Sequence, residues 1–124
     1  MSLILGHVKR KLIRDIVLQD ADGSTVVPGV NDVVRVKVGR IGQTPLLDLD
    51  SAAPSANGST ISKDTPSAGY NRVEIVQKDM ETLSVGIYSF EVALVDNADA
   101  QAIKHVEHQI LCVQGTQTGD VGIA

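Results

Sequence analysis

The chain has 124 residues, a length that suits one domain with a sizeable buried core. Its formal net charge of -4 excludes a general nucleic-acid binder, which needs a basic surface to displace counterions. No apolar run approaches the roughly 20 residues that span a bilayer. The single cysteine excludes an intrachain disulfide framework, so we expect a protein made in a reducing compartment, without a membrane segment.

The hydrophobic residues favour strands over helices. Only two Tyr and one Phe are present, and Trp is absent. The core must therefore be built from Val, Ile and Leu, and β-branched side chains pack well on a pleated surface.

The first half of the chain contains three strand-like segments. Residues 1–10 are expected to form an N-terminal arm. Residues 11–20 follow with imperfect alternation, which predicts a strand that is covered on both faces or lies against another subunit. Residues 33–41 alternate most regularly, and residues 45–50 form a further short strand.

The middle of the chain is less regular. Residues 51–69 are rich in small polar residues and predict a long surface loop with at most one short strand at 59–62. Residues 70–76 alternate again as a strand. Residues 78–83 predict one helical turn that packs Met80 and Leu83.

Residues 83–113 predict a β-hairpin. Its first strand presents one face at period two, formed by Tyr88, Phe90, Val92 and Leu94. An acidic turn around Asp96 leads into a second strand at 103–113. Residues 114–124 are expected to be a flexible tail. The whole pattern predicts an all-β protein, a single antiparallel immunoglobulin-like β-sandwich of about six to eight strands with a short helical turn, at residues 11–113.

His105 and His108 are the first candidates for a metal site. On a strand they lie on opposite faces and cannot share one ion, although on a helix they would converge. The apolar run at 110–113 favours the strand. Cys112 lies about 13 Å along the strand from His108, too far for a nucleophile and its base, and is expected to be a buried hydrophobe.

Other motifs are equally weak as sites. Asp48 and Asp50 share a face but offer too few oxygen ligands for calcium. Residues 39–44 lack the lysine and the following helix of a phosphate-binding loop. Asn57 begins a glycosylation sequon, which matters only in a secretory pathway. We predict no catalytic, cofactor-binding or metal-ligating residue, and no enzyme activity.

A series of short motifs resembles one family. In chain order they are Leu18-Gln-Asp-Ala-Asp-Gly23, Thr44-Pro-Leu-Leu-Asp-Leu-Asp50, Asn71-Arg-Val-Glu-Ile75, Asp79-Met-Glu-Thr-Leu83 and Gly86-Ile-Tyr-Ser-Phe-Glu-Val92. Together, over residues 11–113, they resemble the small immunoglobulin-like domain of tailed-phage virion proteins, such as the N-terminal domain of baseplate upper proteins. The last turn departs from the family pattern because it lacks a glycine. We expect a stand-alone version of the domain, without the helical and receptor-adaptor regions of baseplate upper proteins.

The resemblance implies a function in assembly. It implies a bacteriophage virion structural protein (a decoration, neck, baseplate or fibre-attachment component) that is made in the host cytoplasm and binds other virion proteins. It also implies a homo-oligomer, for which a trimer is one arrangement. Apolar residues at the N-terminus or on mixed strand faces are the interface candidates: Leu3, Ile4, Leu5, Ile13, Val17, Val106 and Ile110.

The alternative function is a carbohydrate-binding β-sandwich that recognises a host glycan. Such sites stack sugar rings on exposed aromatic side chains. Tyr70, beside the long loop, is the one aromatic residue that is expected to be exposed.

Overall fold

The computed structural model describes residues 3–96 and 102–115, and the statements below refer to them. They form eight strands and one short helix. In chain order these are β1 Leu3–His7, β2 Leu12–Val17, β3 Asp32–Gly39, β4 Leu47–Asp50, β5 Thr60–Lys63, β6 Tyr70–Ile75, α1 Gln77–Met80, β7 Gly86–Asp96 and β8 Ile103–Gln114. The prediction of an all-β protein with a short helical turn is confirmed. This helix is far too short to cross a membrane, and the described residues contain no helix that is long and apolar enough to do so.

The strands form two sheets. Five strands make one sheet in the order β1-β8-β7-β3-β4, and the other three make a sheet in the order β2-β6-β5. The expectation of purely antiparallel strands is wrong at one edge, because β1 runs parallel to β8, with Leu3 beside Ile110 and Leu5 beside Cys112. A parallel pair cannot be closed by a tight hairpin, and here its two strands lie at opposite ends of the described chain.

The segment that was expected to be an N-terminal arm is therefore largely strand β1. Ile4 is only 1 % exposed and packs in the core, whereas its neighbours Leu3 and Leu5 face outward. This alternation is what a strand with one buried face requires.

One hydrophobic cluster contains buried side chains from both sheets. The strand predicted at residues 33–41 is confirmed as far as Gly39, with Val34, Val36 and Val38 fully buried, whereas Ile41 lies in the turn that follows. The four alternating residues of β7 from Tyr88 to Leu94 are buried as well. Burial on this scale contributes about 1.5–3 kcal/mol for each large aliphatic side chain.

The long polar loop is attached to α1 by one buried carboxylate. Asp79 accepts hydrogen bonds from Ser55 Oγ at 2.8 Å, from Asn57 Nδ2 at 2.7 Å and from Ser59 Oγ. Ser59 Oγ in turn accepts a hydrogen bond from the backbone N–H of Val76 at 3.0 Å. Loop residues that were expected to be simple surface are therefore part of the packed structure.

Part of two predictions lies outside the described residues. The expected acidic turn begins at Asp96, which is the last residue of β7, but Asn97 and Asp99 lie outside. The expected tail begins at Gln114, which instead ends β8, and residues 116–124 lie outside.

Candidate interaction surface

The five-stranded sheet has one face that is turned away from the core, here called the outer face. Its exposed side chains include a contiguous apolar patch on β1, β8 and β7, formed by Leu3, Leu5, Ile87, Ile110 and Cys112. The strand register places Cys112 between Leu5 and Ile87, and it places Ile110 beside Leu3. Leu3 and Leu5 are each 57 % exposed and Ile87 is 65 % exposed. Contiguous apolar patches of this kind mark interaction sites more often than single exposed residues do.

A charged row crosses the same face beside the apolar patch. It contains one side chain from each of β4, β3, β7 and β8, in the order Asp48, Lys37, Glu91 and His108. His108 Nε2 lies 3.1 Å from Glu91 Oε2. Lys37 has no ion pair within 4 Å in the part of the chain that the structure describes. The row therefore contains an ammonium group that is available to a partner.

A turn between β3 and β4 rises beside these residues. The backbone N–H of Gln43 donates to the carbonyl of Arg40 at 3.0 Å, and Gly42 takes a φ of 81°, which a glycine adopts at no steric cost. The side chain of Ile41 stands at the corner of this turn and is 90 % exposed. Nothing in the fold requires an isoleucine at such a position.

The returning chain packs closely on β3. A Cβ atom added at Gly39 would lie only 3.0 Å from Pro45 Cα, so a larger residue would push the returning chain away from the sheet by a few tenths of an ångström. The guanidinium carbon of Arg40 lies 4.8 Å from the centroid of the Tyr88 ring, a cation–π contact that anchors the start of the turn.

A groove of about 720 Å³ lies between the turn and β8. Its apolar lining comes from the turn on one side, through Ile41 and Pro45, and from Ile87 and Ile110 on the other. Lys37, Glu91 and His108 of the charged row line the groove too. The outer face therefore carries a ridge, which is the turn, directly beside a groove.

The structure brings together only part of the predicted interface set. Leu3, Leu5 and Ile110 lie side by side in the apolar patch, and Val106 lies farther along the same face of β8. The prediction for Ile4 is wrong, since a core residue cannot contact a partner. Ile13 and Val17 lie on β2 in the other sheet, where they are exposed and half-buried, respectively.

The histidines lie as the strand argument predicts. His105 pairs with Leu94, whereas His108 pairs with Glu91 on the outer face. His105 Nε2 lies 2.7 Å from Glu107 Oε2, and a second contact of that carboxylate is the backbone N–H of Gln19 at 2.7 Å. Within residues 3–96 and 102–115, no group of three or more His, Cys, Asp or Glu side chains is arranged to hold a metal ion.

Cys112 differs from its prediction. It is half-buried rather than buried, and it belongs to the outer face and not to the core. The four consecutive apolar residues at 110–113 offer no polar position to mark the inner side, so the sequence pattern leaves the orientation undetermined. The structure turns Leu111 and Val113 inward.

Several outer-face residues were not found by sequence reasoning. Ile41 and Ile87 were both predicted as ordinary strand positions. A signal for Ile41 was present, because a large apolar residue stood directly before a glycine in an otherwise polar connection. The charged row had no such signal, since its four members are far apart in the chain and only the register aligns them.

The features that suggested sugars occur elsewhere. Tyr70 is exposed as expected, but it lies on β6 in the three-stranded sheet, away from the groove. The one aromatic residue at the groove is Tyr88, whose ring is almost completely buried. Asn57 and Ser59 of the glycosylation sequon both donate to Asp79, so their side chains already have a structural role.

Comparison with protein-family models and with curated proteins finds no match to this chain. The geometry of the outer face is therefore the basis for a functional proposal. That face offers apolar area to bury and charges to pair, a combination that is typical of protein–protein contacts.

Proposed function

We propose that this chain is a structural component of a tailed-phage particle, built as an immunoglobulin-like β-sandwich, and that it acts by protein–protein assembly through the outer face. Its partners are other virion proteins. The proposal requires no chemical reaction, only a stable scaffold and a surface that a partner can cover.

The strand order supports the immunoglobulin-like part of the proposal. In that fold seven strands are named A to G in chain order, and strands B, E and D lie next to one another in one sheet. Strands C, F and G form the other sheet, and variable-type domains add a strand C′ beside C. When β2 is taken as strand B, the three-stranded sheet β2-β6-β5 has the order B-E-D. The series β8-β7-β3-β4 of the larger sheet then has the order G-F-C-C′. Three of the five sequence motifs that resemble the phage family lie on β4, β6 and β7 of these sheets, and the other two lie after β2 and at α1.

The apolar patch is the observation that carries the assembly part. A monomeric protein gains nothing by exposing Leu3, Leu5 and Ile87 in one patch. Each of these side chains adds apolar area that stabilises the protein only when it is removed from water. A particle protein meets that requirement because its partner is permanently present.

The test is incorporation into particles. Virions produced from the genome that encodes this chain are purified on a density gradient and digested, and we expect its peptides at a constant ratio to those of the major capsid protein. A non-structural protein of the same genome serves as the negative control. A chain that is found only in the soluble fraction contradicts the proposal.

A pair of variants tests the face that is used. Ile87→Asp places a charge in the apolar patch and is expected to reduce incorporation at least tenfold. Ile13→Asp places the same charge at a half-exposed position on the other sheet and is expected to leave incorporation unchanged. Equal effects of the two variants would contradict the use of the outer face.

A further inference from the structure

The outer face has the features of a surface that binds a copy of itself. In a dimer with two-fold symmetry, residue i of one chain contacts residue j of the other, and j contacts i in return. A face suits such a dimer when each surface feature, such as a ridge or a positive charge, has its complement at an equal distance on the opposite side of one line, which becomes the two-fold axis. The ridge and groove of the outer face, and the charges of its central row, meet this condition.

The relevant line runs along the strands between β3 and β7. When two outer faces meet about this axis, β7 of one copy lies over β3 of the other, and β8 lies over β4. The rotation preserves the position of each residue along the strand direction. A residue therefore faces, on the second copy, a residue of the same row across the sheet. The register of the sheet then determines which residues meet.

The charged row becomes complementary to itself about this axis. Glu91 meets Lys37 of the second copy, and Lys37 meets its Glu91, because the two residues are direct neighbours on either side of the line. Farther out, His108 lies opposite Asp48 of the second copy. No like charges face each other in this row, and the ammonium group of Lys37 gains a carboxylate.

The ridge and the groove exchange in the same way. The β3–β4 turn lies on one side of the axis, and the half of the groove that β7 and β8 line lies on the other, so the rotation places the turn of each copy over that half of its partner's groove. Ile41 then approaches Ile87, and Leu46, which is also exposed, approaches Ile110. This contact would bury the corner side chain of the turn, which is 90 % exposed in the single chain.

The flat area that faces the second copy is smaller than that of a typical stable dimer, so the ridge and the groove must supply part of the contact. Four strands of each copy face one another about this axis, while β1 has no facing strand. The eight facing positions of β3 and of β7 and the four of β4 and of β8, at about 3.3 Å per residue and about 4.8 Å between strands, give a flat overlap on the order of 400 Å². A stable protein–protein interface buries about 800 Å² per partner, and the ridge and groove add to the flat area. Stacked sheets cross at about 30°, so the pairs nearest the axis stay closest and the outer pairs separate.

We infer that this chain forms a two-fold symmetric homodimer through the outer face, with the β3–β4 turn of each copy in the groove of the other and with Lys37 paired to Glu91 across the axis. The inference deepens the proposed function, on which it rests for the use of this face, by naming a second copy of the chain as one of the partners; β1, with Leu3 and Leu5, has no facing strand in this dimer and stays available to another virion protein.

The first experiment measures mass against concentration. Sedimentation or light scattering of the full chain, from low micromolar to near-millimolar concentrations, is expected to show a transition from 13.1 kDa to twice that mass. Ile41→Asp is expected to weaken dimerisation at least tenfold. Its matched control is Val30→Asp, which is also 90 % exposed but lies in another loop and is expected to have no effect.

The second experiment tests the symmetry itself. Lys37→Glu and Glu91→Lys each place like charges across the axis, so each variant alone is expected to be monomeric. An equimolar mixture of the two restores both contacts, and a heterodimer is expected. Improved folding of a single chain cannot produce this rescue, because each chain keeps its own substitution.

The outcomes separate this inference from the proposed function. A chain that is monomeric at every concentration, or a dimer that Ile41→Asp leaves intact, overturns the homodimer. Single variants that fail to associate even when they are mixed, while circular dichroism shows them folded, overturn the stated pairing. In each case incorporation into virions remains a separate measurement, and only its failure contradicts the proposed function.

Discussion

Asp79 is the residue whose chemistry is least typical of its surroundings. Asp79 is only 5 % exposed, and three side-chain donors surround its carboxylate. Burial raises the pKa of Asp79, but the hydrogen bonds from Ser59, Asn57 and Ser55 outweigh burial and bring the pKa below its ordinary value of 3.8. The charged form therefore holds the long loop against α1.

This arrangement predicts a pH-dependent contribution to stability. Because the pKa is lower in the folded state than in the unfolded one, the contribution is fully present above about pH 4 and is lost as the pH falls through the folded value. Asp79→Asn leaves buried hydroxyl groups without their anionic acceptor and is expected to reduce the free energy of unfolding by about 1–3 kcal/mol at neutral pH.

Urea denaturation at pH 7 and at pH 3 measures both effects. The difference between wild type and Asp79→Asn is expected to shrink at the lower pH. Glu81→Gln, which changes an exposed carboxylate in the adjacent turn, serves as the control with little effect at either pH. An Asp79→Asn protein as stable as the wild type at pH 7 would contradict this role.

Among the elements, β1 shows best how a short segment is integrated. It lies at the edge of the five-stranded sheet and pairs only with β8. Its one fully buried side chain is Ile4, whereas Leu3 and Leu5 belong to the exposed patch. The strand thus connects the core to the proposed interface, through alternate residues of a five-residue segment.

A pair of alanine variants distinguishes a structural strand from a loose arm. Ile4→Ala is expected to cost about 2–5 kcal/mol, because it removes buried methyl groups and leaves a cavity. Leu3→Ala is expected to cost far less, because its side chain is mostly in water. Thermal denaturation at low micromolar concentration, where a dimer contributes least, compares the two variants. Equal small effects would show that β1 does not belong to the folded unit.

The sequence predicts elements well where their two faces differ in polarity. Val34, Val36 and Val38 alternate with polar or small residues, so β3 and its inner face could be read directly. β1 could not, because a five-residue segment shows too little alternation and its parallel partner lies about 100 residues away. The Asp79 cluster was missed because its partners are small polar residues, which look the same in a packed loop as in a solvated one.

The candidate surface was predictable only in part, for a related reason. Leu3 and Leu5 were predicted as contacts because they lie in an apolar N-terminal segment, and Ile110 because it lies on a strand with apolar residues on both faces. Their assembly with Ile87 and the charged row depends on the pairing of five strands, and pairing is a property of the tertiary fold. Local periodicity identifies faces, but it does not tell which faces lie side by side.

At the scale of the whole molecule, the two sheets share one hydrophobic cluster and are expected to unfold together. Val36 lies in the five-stranded sheet and Val73 in the three-stranded one, and both are fully buried.

Val→Ala at either site removes two methyl groups, which costs roughly 2 kcal/mol. Each variant should lower the midpoint of the same single transition, when far-ultraviolet circular dichroism and tyrosine fluorescence are followed at one low protein concentration. The exposed control is Val30→Ala, which should leave the midpoint unchanged. Two separate transitions, one sensitive to Val36→Ala and the other to Val73→Ala, would instead show that each sheet folds independently and that the shared cluster does not couple them.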